Sequence, residues 1–202
     1  MNKTGKNIQA GIIIGLICAI TLCFAGFDAK AQTLRENLLR LHIIAASDSD
    51  ADQNLKLKVR DAILEECSYC FEGCENLESA LYKAEENLGR IEQVAQNTIL
   101  ENGFDYDVAV SISDSFFSTR VYDDFTLPAG VYKALKVELG KARGKNWWCV
   151  VFPAVCLPSA SSAQLSDAVR EESAEIAEHS NKYIFRFKTV EIYEDIKQRI
   201  AR

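Results

Sequence analysis

Near residue 102 the apolar residues of this chain change period, and that change limits the fold more than any other feature. Before it, Leu55, Val59, Ile63, Cys67 and Cys70 recur at steps of three to four. Leu77, Leu81, Ala84, Leu88, Ile91 and Ala95 then repeat the pattern. Such spacing lines one face of an α-helix. After the change, Tyr106, Val108, Val110 and Ile112 alternate with Asp105, Asp107, Ala109 and Ser111. Successive side chains on a strand point to opposite faces, so this is a half-buried strand. Helices and strands come in separate blocks, as in an α+β domain.

Local signals place the other elements. Residues 38–46 read as a strand, with Leu39, Leu41 and Ile43 on one face and Leu38, Arg40, His42 and Ile44 on the other. Ser47-Asp48-Ser49-Asp50 supplies side-chain oxygens that cap free helical N–H groups, and its acids suit the positive end of the helix dipole. The first helix then runs to about residue 71, with Gly73 as its stop. The second spans 77–101 and ends at Asn102-Gly103. The short turn between them predicts an antiparallel helical hairpin. Further strands are expected over 117–122, 131–139 and 146–152. Leu127-Pro128-Ala129-Gly130 turns the chain, and 140–145 forms a hairpin loop. The apolar run over 146–152 predicts a central strand covered on both faces, ended by Pro153. Residues 162–178 are polar and weakly helical, Ile184, Phe185, Phe187, Val190, Ile192 and Tyr193 form a last apolar cluster, and the tail to 202 is helical. The expected architecture is an antiparallel meander with an N-terminal strand, the helical hairpin packed on one face, and a C-terminal helix.

The N-terminus carries a different message. Lys3 and Lys6 precede an uncharged apolar run over 11–27, and Ala29-x-Ala31 follows it. A positive start, an apolar run and a small-residue exit make a secretory signal, with Ala31 as the residue before the cut. The alternative is a retained N-terminal anchor. Three segments follow: the signal (1–31), a core domain (32–160) and a helical extension (161–202). Losing the signal removes three positive charges and one negative, moving the net charge from -6 to -8. An acidic domain is a poor partner for nucleic acid or anionic lipid, both of which need clustered Lys and Arg. The apolar share of 48% excludes a disordered chain.

Several motifs resemble chemical sites and fail on spacing. Asp48-x-Asp50-x-Asp52 opens like a calcium loop, but Gln53 stands where glycine is needed and Val59 where glutamate is needed. Capping accounts for these acids. Gly140-x-x-x-Gly144-Lys145-Asn146 is one residue short of a phosphate loop and lacks the Ser or Thr that holds magnesium. Cys67, Cys70 and Cys74 share a helical face; a metal site, a disulfide and plain core packing all fit that spacing, and no fourth ligand is evident. Cys149 and Cys156 bracket Val150-Val151-Phe152-Pro153-Ala154-Val155, and either a bridge or two separate thiols fits. The only histidines are His42 and His179, and there is no Gly-x-Ser-x-Gly elbow, so no catalytic residue is assigned. No metal or cofactor is expected. Trp147 and Trp148 are adjacent on a strand and so face opposite sides: both are core, or one is an anchor for a partner.

Two blocks carry a family resemblance. The first is Arg40-Leu41-His42-Ile43-Ile44-Ala45-Ala46-Ser47-Asp48-Ser49, with Gln53 and residues 55–62. The second is Leu127-Pro128-Ala129-Gly130-Val131-Tyr132, then Gly140, Gly144, Asn146-Trp147-Trp148-Cys149, Phe152-Pro153 and Cys156. In this order the blocks resemble the stage II sporulation protein R family; the cysteine-bearing helix and the residues after Pro158 match loosely. The resemblance implies a protein made in the forespore and exported toward the space between forespore and mother cell. There it would trigger a membrane-bound aspartic protease, stage II sporulation protein GA, which removes the pro-sequence of sigma factor E. Such a protein is a signal and no enzyme. Its partner-binding candidates are Arg40, His42, Asn146, Trp147 and Trp148. The alternative is a secreted cell-envelope binding module or hydrolase, which a pocket joining His42 to Asp side chains would favour.

Overall fold

The computed structural model describes residues 3–122, 125–153, 188–193 and 196. Helix α1 (Lys3–Glu36) carries the apolar run and continues past it without a break. Ile12, Ile13, Ile14 and Leu16 are exposed, whereas Phe27, Ala31 and Leu34 are buried. These last three are spaced on one helical face and pack into the domain. The expected cut after Ala31 thus lies within a helix, on its buried side. Among the described residues no helix is long and apolar enough to cross a membrane.

The domain proper follows as β1 (Leu39–Ile44), α2 (Asp50–Cys67), α3 (Leu77–Glu101), β2 (Val108–Phe117), β3 (Arg120–Val121), β4 (Thr126–Leu127), β5 (Gly130–Leu139) and β6 (Asn146–Phe152). One 3₁₀ turn over Ser68–Phe71 and Gly73, with φ of 74°, reverse the chain between α2 and α3. Ser49 Oγ accepts from the Asp52 N–H at 3.2 Å to start α2. Asn76 and Ser79 form a reciprocal capping box at the start of α3.

The sheet order is β2-β5-β1-β6, with β1 parallel to β5 and antiparallel to β6. The sheet is therefore mixed, which corrects the expected antiparallel meander. β1 inserts between β5 and β6 because its side chains are apolar or buried on both faces, and a strand of that kind belongs inside a sheet. The 140–145 segment is consequently no tight hairpin loop. It passes over the end of β1, where Gly144 and Arg143 donate to the carbonyls of Ala45 and Ala46 at 2.9 and 3.3 Å. A Cβ on Gly144 would lie 2.1 Å from the Ser47 carbonyl oxygen, so only glycine permits the crossing. β6 is an edge strand rather than the expected central one. Its last four residues are buried because both faces of the sheet are covered there. The expected strand over 117–122 divides: Phe117 ends β2, and β3 pairs with β4 in a separate ribbon.

Two cores result. Leu39, Leu41, Ile43, Val137 and Val151 pack beneath α2 and α3. Leu38, Phe117, Tyr132, Ala134 and Val150 pack on the opposite face beneath the end of α1 and the β3–β4 ribbon. The end of α1 is anchored by Arg35, which donates to the Ala129 carbonyl at 3.2 Å and pairs with Asp28 at 3.1 Å. The helical extension expected over 161–202 lies outside the described residues, apart from a helical stretch at 188–193 and residue 196.

Candidate functional site

Alternation along β1 sends Arg40 and His42 to the face opposite the helical hairpin. Arg40 is fully buried there. Its guanidinium carbon lies 4.0 Å from the Phe117 ring centre and 4.9 Å from that of Tyr132. Nη2 donates to the Tyr122 hydroxyl at 2.9 Å, while Nε and Nη1 have no partner. No ion pair reaches this cation among the described residues. Withdrawing a cation from water without a counter-ion costs several kcal/mol. Each aromatic contact returns about 0.5–2 kcal/mol, so the two rings offset that cost only in part. The Tyr132 hydroxyl donates to the Pro128 carbonyl at 2.6 Å; burial pushes its pKa up to about 12, and the neighbouring Arg40 charge opposes that rise.

His42 packs against the same ring of Phe117. Its ring centre lies 5.6 Å from Phe117 and 6.0 Å from Trp148. Nε2 is 3.0 Å from the Asn146 side-chain oxygen, while Nδ1 is buried without a partner. Burial holds the imidazole pKa below its ordinary value; the Asn146 contact opposes this, and the Lys136 charge adds to it. Asp48 accepts instead from the Lys145 N–H at 2.7 Å. Asp52 accepts from Ser47 Oγ and from the Tyr106 hydroxyl. The converging His–Asp pocket of a hydrolase is therefore not formed among the described residues.

Trp147 and Trp148 fall on opposite faces, both half-buried. Trp147 packs against the first core under the Arg60 guanidinium, 4.3 Å from its ring centre. Trp148 packs against Phe117 at 5.5 Å, with Arg120 at 4.5 Å on its ring. The fold thus brings Arg40, His42, Asn146 and Trp148 together and leaves Trp147 on the far side. Phe117 is the hub of this cluster, with Tyr122 and Tyr132 beside it. Sequence reasoning did not single out these three. The only signal was the odd spacing from Val108, Val110 and Ile112, which carries Phe117 to the opposite face at the end of β2.

The described cysteines of the domain do not divide in this way: Cys67, Cys70 and Cys149 all lie in the first core. Cys67 and Cys70 are buried in the first core, and burial pushes the Cys67 thiol up to about 11. Together with Cys18 and Cys74 they are free thiols; Cys149 is not among them. Cys149 is buried on β6, while Cys156 lies outside the described residues.

No solved structure matches this chain. Among curated proteins it is 34% identical over 169 residues to stage II sporulation protein R of Bacillus subtilis (strain 168). That match covers 84% of this chain and 71% of the relative. The protein-family model described as stage II sporulation protein R matches residues 35–162, which include β1, the Phe117 hub and both tryptophans. The chain therefore belongs to the stage II sporulation protein R family and has its place in sporulation.

Proposed function

We propose that this protein is an exported intercompartmental signal of endospore formation. It acts in the space between forespore and mother cell, where it activates the membrane-bound aspartic protease, stage II sporulation protein GA. The protease then processes pro-sigma-E in the mother cell. The protein itself cleaves nothing; it works by binding the extracytoplasmic part of the protease. A ligand shifts an equilibrium only by its differential affinity for the two states. Turning a nearly inactive population into a nearly active one takes about a 10⁴-fold preference for the active state. The Arg40–Trp148 face is the contact, and a Cys149–Cys156 bridge holds the end of β6.

The observation that carries this reading is the pairing of family membership with an exposed apolar helix ahead of the folded domain. Ile12, Ile13, Ile14 and Leu16 have no core to enter, which suits a segment read by export machinery. The test is reconstitution in a host that lacks this protein, the protease and the sigma precursor. Processing is expected only when all three are produced and residues 1–31 are present. Equal processing without this protein, or without its first 31 residues, would refute the reading.

A further inference from the structure

The last turns of α1 are built into the domain, and the expected cut after Ala31 runs through them. Phe27, Ala31 and Leu34 are buried in the second core. Arg35 ties the same stretch to the Ala129 carbonyl and to Asp28. The stretch also holds itself as a helix. Thr33 Oγ1 donates to the Ala29 carbonyl at 3.1 Å, Gln32 Nε2 to Glu36 Oε1 at 2.7 Å, and Asn37 Nδ2 to the Thr33 carbonyl at 2.7 Å. Ala29, Lys30, Ala31, Gln32, Leu34, Arg35 and Glu36 are all strong helix formers. The residues just ahead differ. Ala25 and Gly26 are exposed. Thr21, Cys23, Phe24, Gly26 and Phe27 are weaker helix formers, glycine the weakest of them.

We propose that export processing severs the Ala25–Gly26 bond, so that the mature protein starts at Gly26 and keeps Phe27 to Glu36 as a permanent helix of the domain. Water cleaves the peptide C–N bond, leaving the Ala25 carboxylate on the signal and the Gly26 amine on the protein. Signal processing reads small residues at the cut and two places before it. Within residues 1–31 an alanine with a small residue two places before it stands twice, as Cys23-x-Ala25 and Ala29-x-Ala31. An α-helix folds each peptide bond against its own turns, so a protease must first unwind it. At Ala31 that breaks a strongly helical stretch, and in the folded domain it draws Phe27 and Ala31 out of the core. At Ala25 it costs little helix and no core. Length agrees. An exit at Ala25 leaves residues 11–22 as the apolar part of the signal, within the roughly 7–15 residues usual there; an exit at Ala31 leaves the whole uncharged run over 11–27, which exceeds it. The helix that remains has Asp28 in its first turn and Arg35 in its last, each matched to the nearer end of the helix dipole. The cut rests on the export role proposed above, while its position rests on the packing and helicity of residues 27–36.

The test produces the full chain, with an affinity tag at its C-terminus, in the reconstituted host. Intact mass and the first residues are read on the protein recovered outside the cytoplasm. A mature N-terminus at Gly26 is expected. Ala25→Leu places a bulky residue at the cut and should lower the fraction starting at Gly26 at least tenfold. Ala29→Phe spoils the Ala31 site alone, at an exposed position, and should leave the Gly26 terminus unchanged. A mature N-terminus at Gln32 overturns the assignment. So does unchanged cutting at Gly26 in the Ala25→Leu chain, or loss of cutting in the Ala29→Phe chain. Exported chain that keeps residues 1–25 also overturns the cut, in favour of a retained anchor, and leaves the activator role intact. Chain held uncut in the cytoplasm refutes export itself, and this cut with it.

Discussion

A buried imidazole makes the stability of this fold depend on pH. Burial holds His42 below its ordinary pKa of 6.5, so the folded chain keeps the ring neutral while the unfolded chain titrates normally. Protons then favour the unfolded state. The contribution of His42 is complete above pH 6.5 and is lost as pH falls through the lower folded-state value. Thermal melts followed by circular dichroism are expected to show Tm dropping from pH 7.5 to 5. His42→Gln should show a shallower drop over that range, since it cannot take up the proton; parallel curves for both chains would remove His42 as the cause. The side on which Arg40 and His42 stand was legible in the alternation of β1. The identity of their neighbours was not, because Phe117, Tyr122 and Tyr132 arrive from segments far along the chain. Periodicity assigns a face, and only tertiary pairing says which faces meet.

At the scale of elements, legibility followed locality. Helix α3 was readable to its ends, since its apolar stripe and the Asn102-Gly103 stop lie within one stretch of chain. Sheet order was not readable. Nothing near residues 140–145 announces that another strand lies between β5 and β6, and a short polar loop looks the same whether it closes a hairpin or bridges a gap. The bridging can be tested at Gly144. Its Cβ position is 2.1 Å from the Ser47 carbonyl oxygen, and backbone cannot swing away as a side chain does. Gly144→Ala is expected to destabilise the domain by about 1–3 kcal/mol, the range for forced overpacking. Urea denaturation would measure it, and Gly89→Ala on exposed helix, with nothing within 4 Å of its Cβ, should be neutral or stabilising by comparison.

At the scale of the whole molecule, α1 belongs to two parts at once: its first half projects and its last turns complete the second core. A chain starting at residue 32 loses Phe27 and Ala31 from that core and the Asp28 partner of Arg35. Relative to a chain starting at residue 27, it is expected to be less stable by about 3 kcal/mol, the lower end for emptying a buried phenylalanine site. Matched urea midpoints would decide whether those turns are structural. The central place of β1 adds a constraint on time. Leu39 pairs with Lys133 on one side and with Phe152 on the other, so the first strand made must wait for the last two. Pairings that close long loops form slowly. Until β5 and β6 emerge, β1 has neither of its partners and the sheet cannot close. For the proposed export this delay is useful: a polypeptide that cannot knit itself shut before its final strands appear remains narrow enough to pass through a membrane channel.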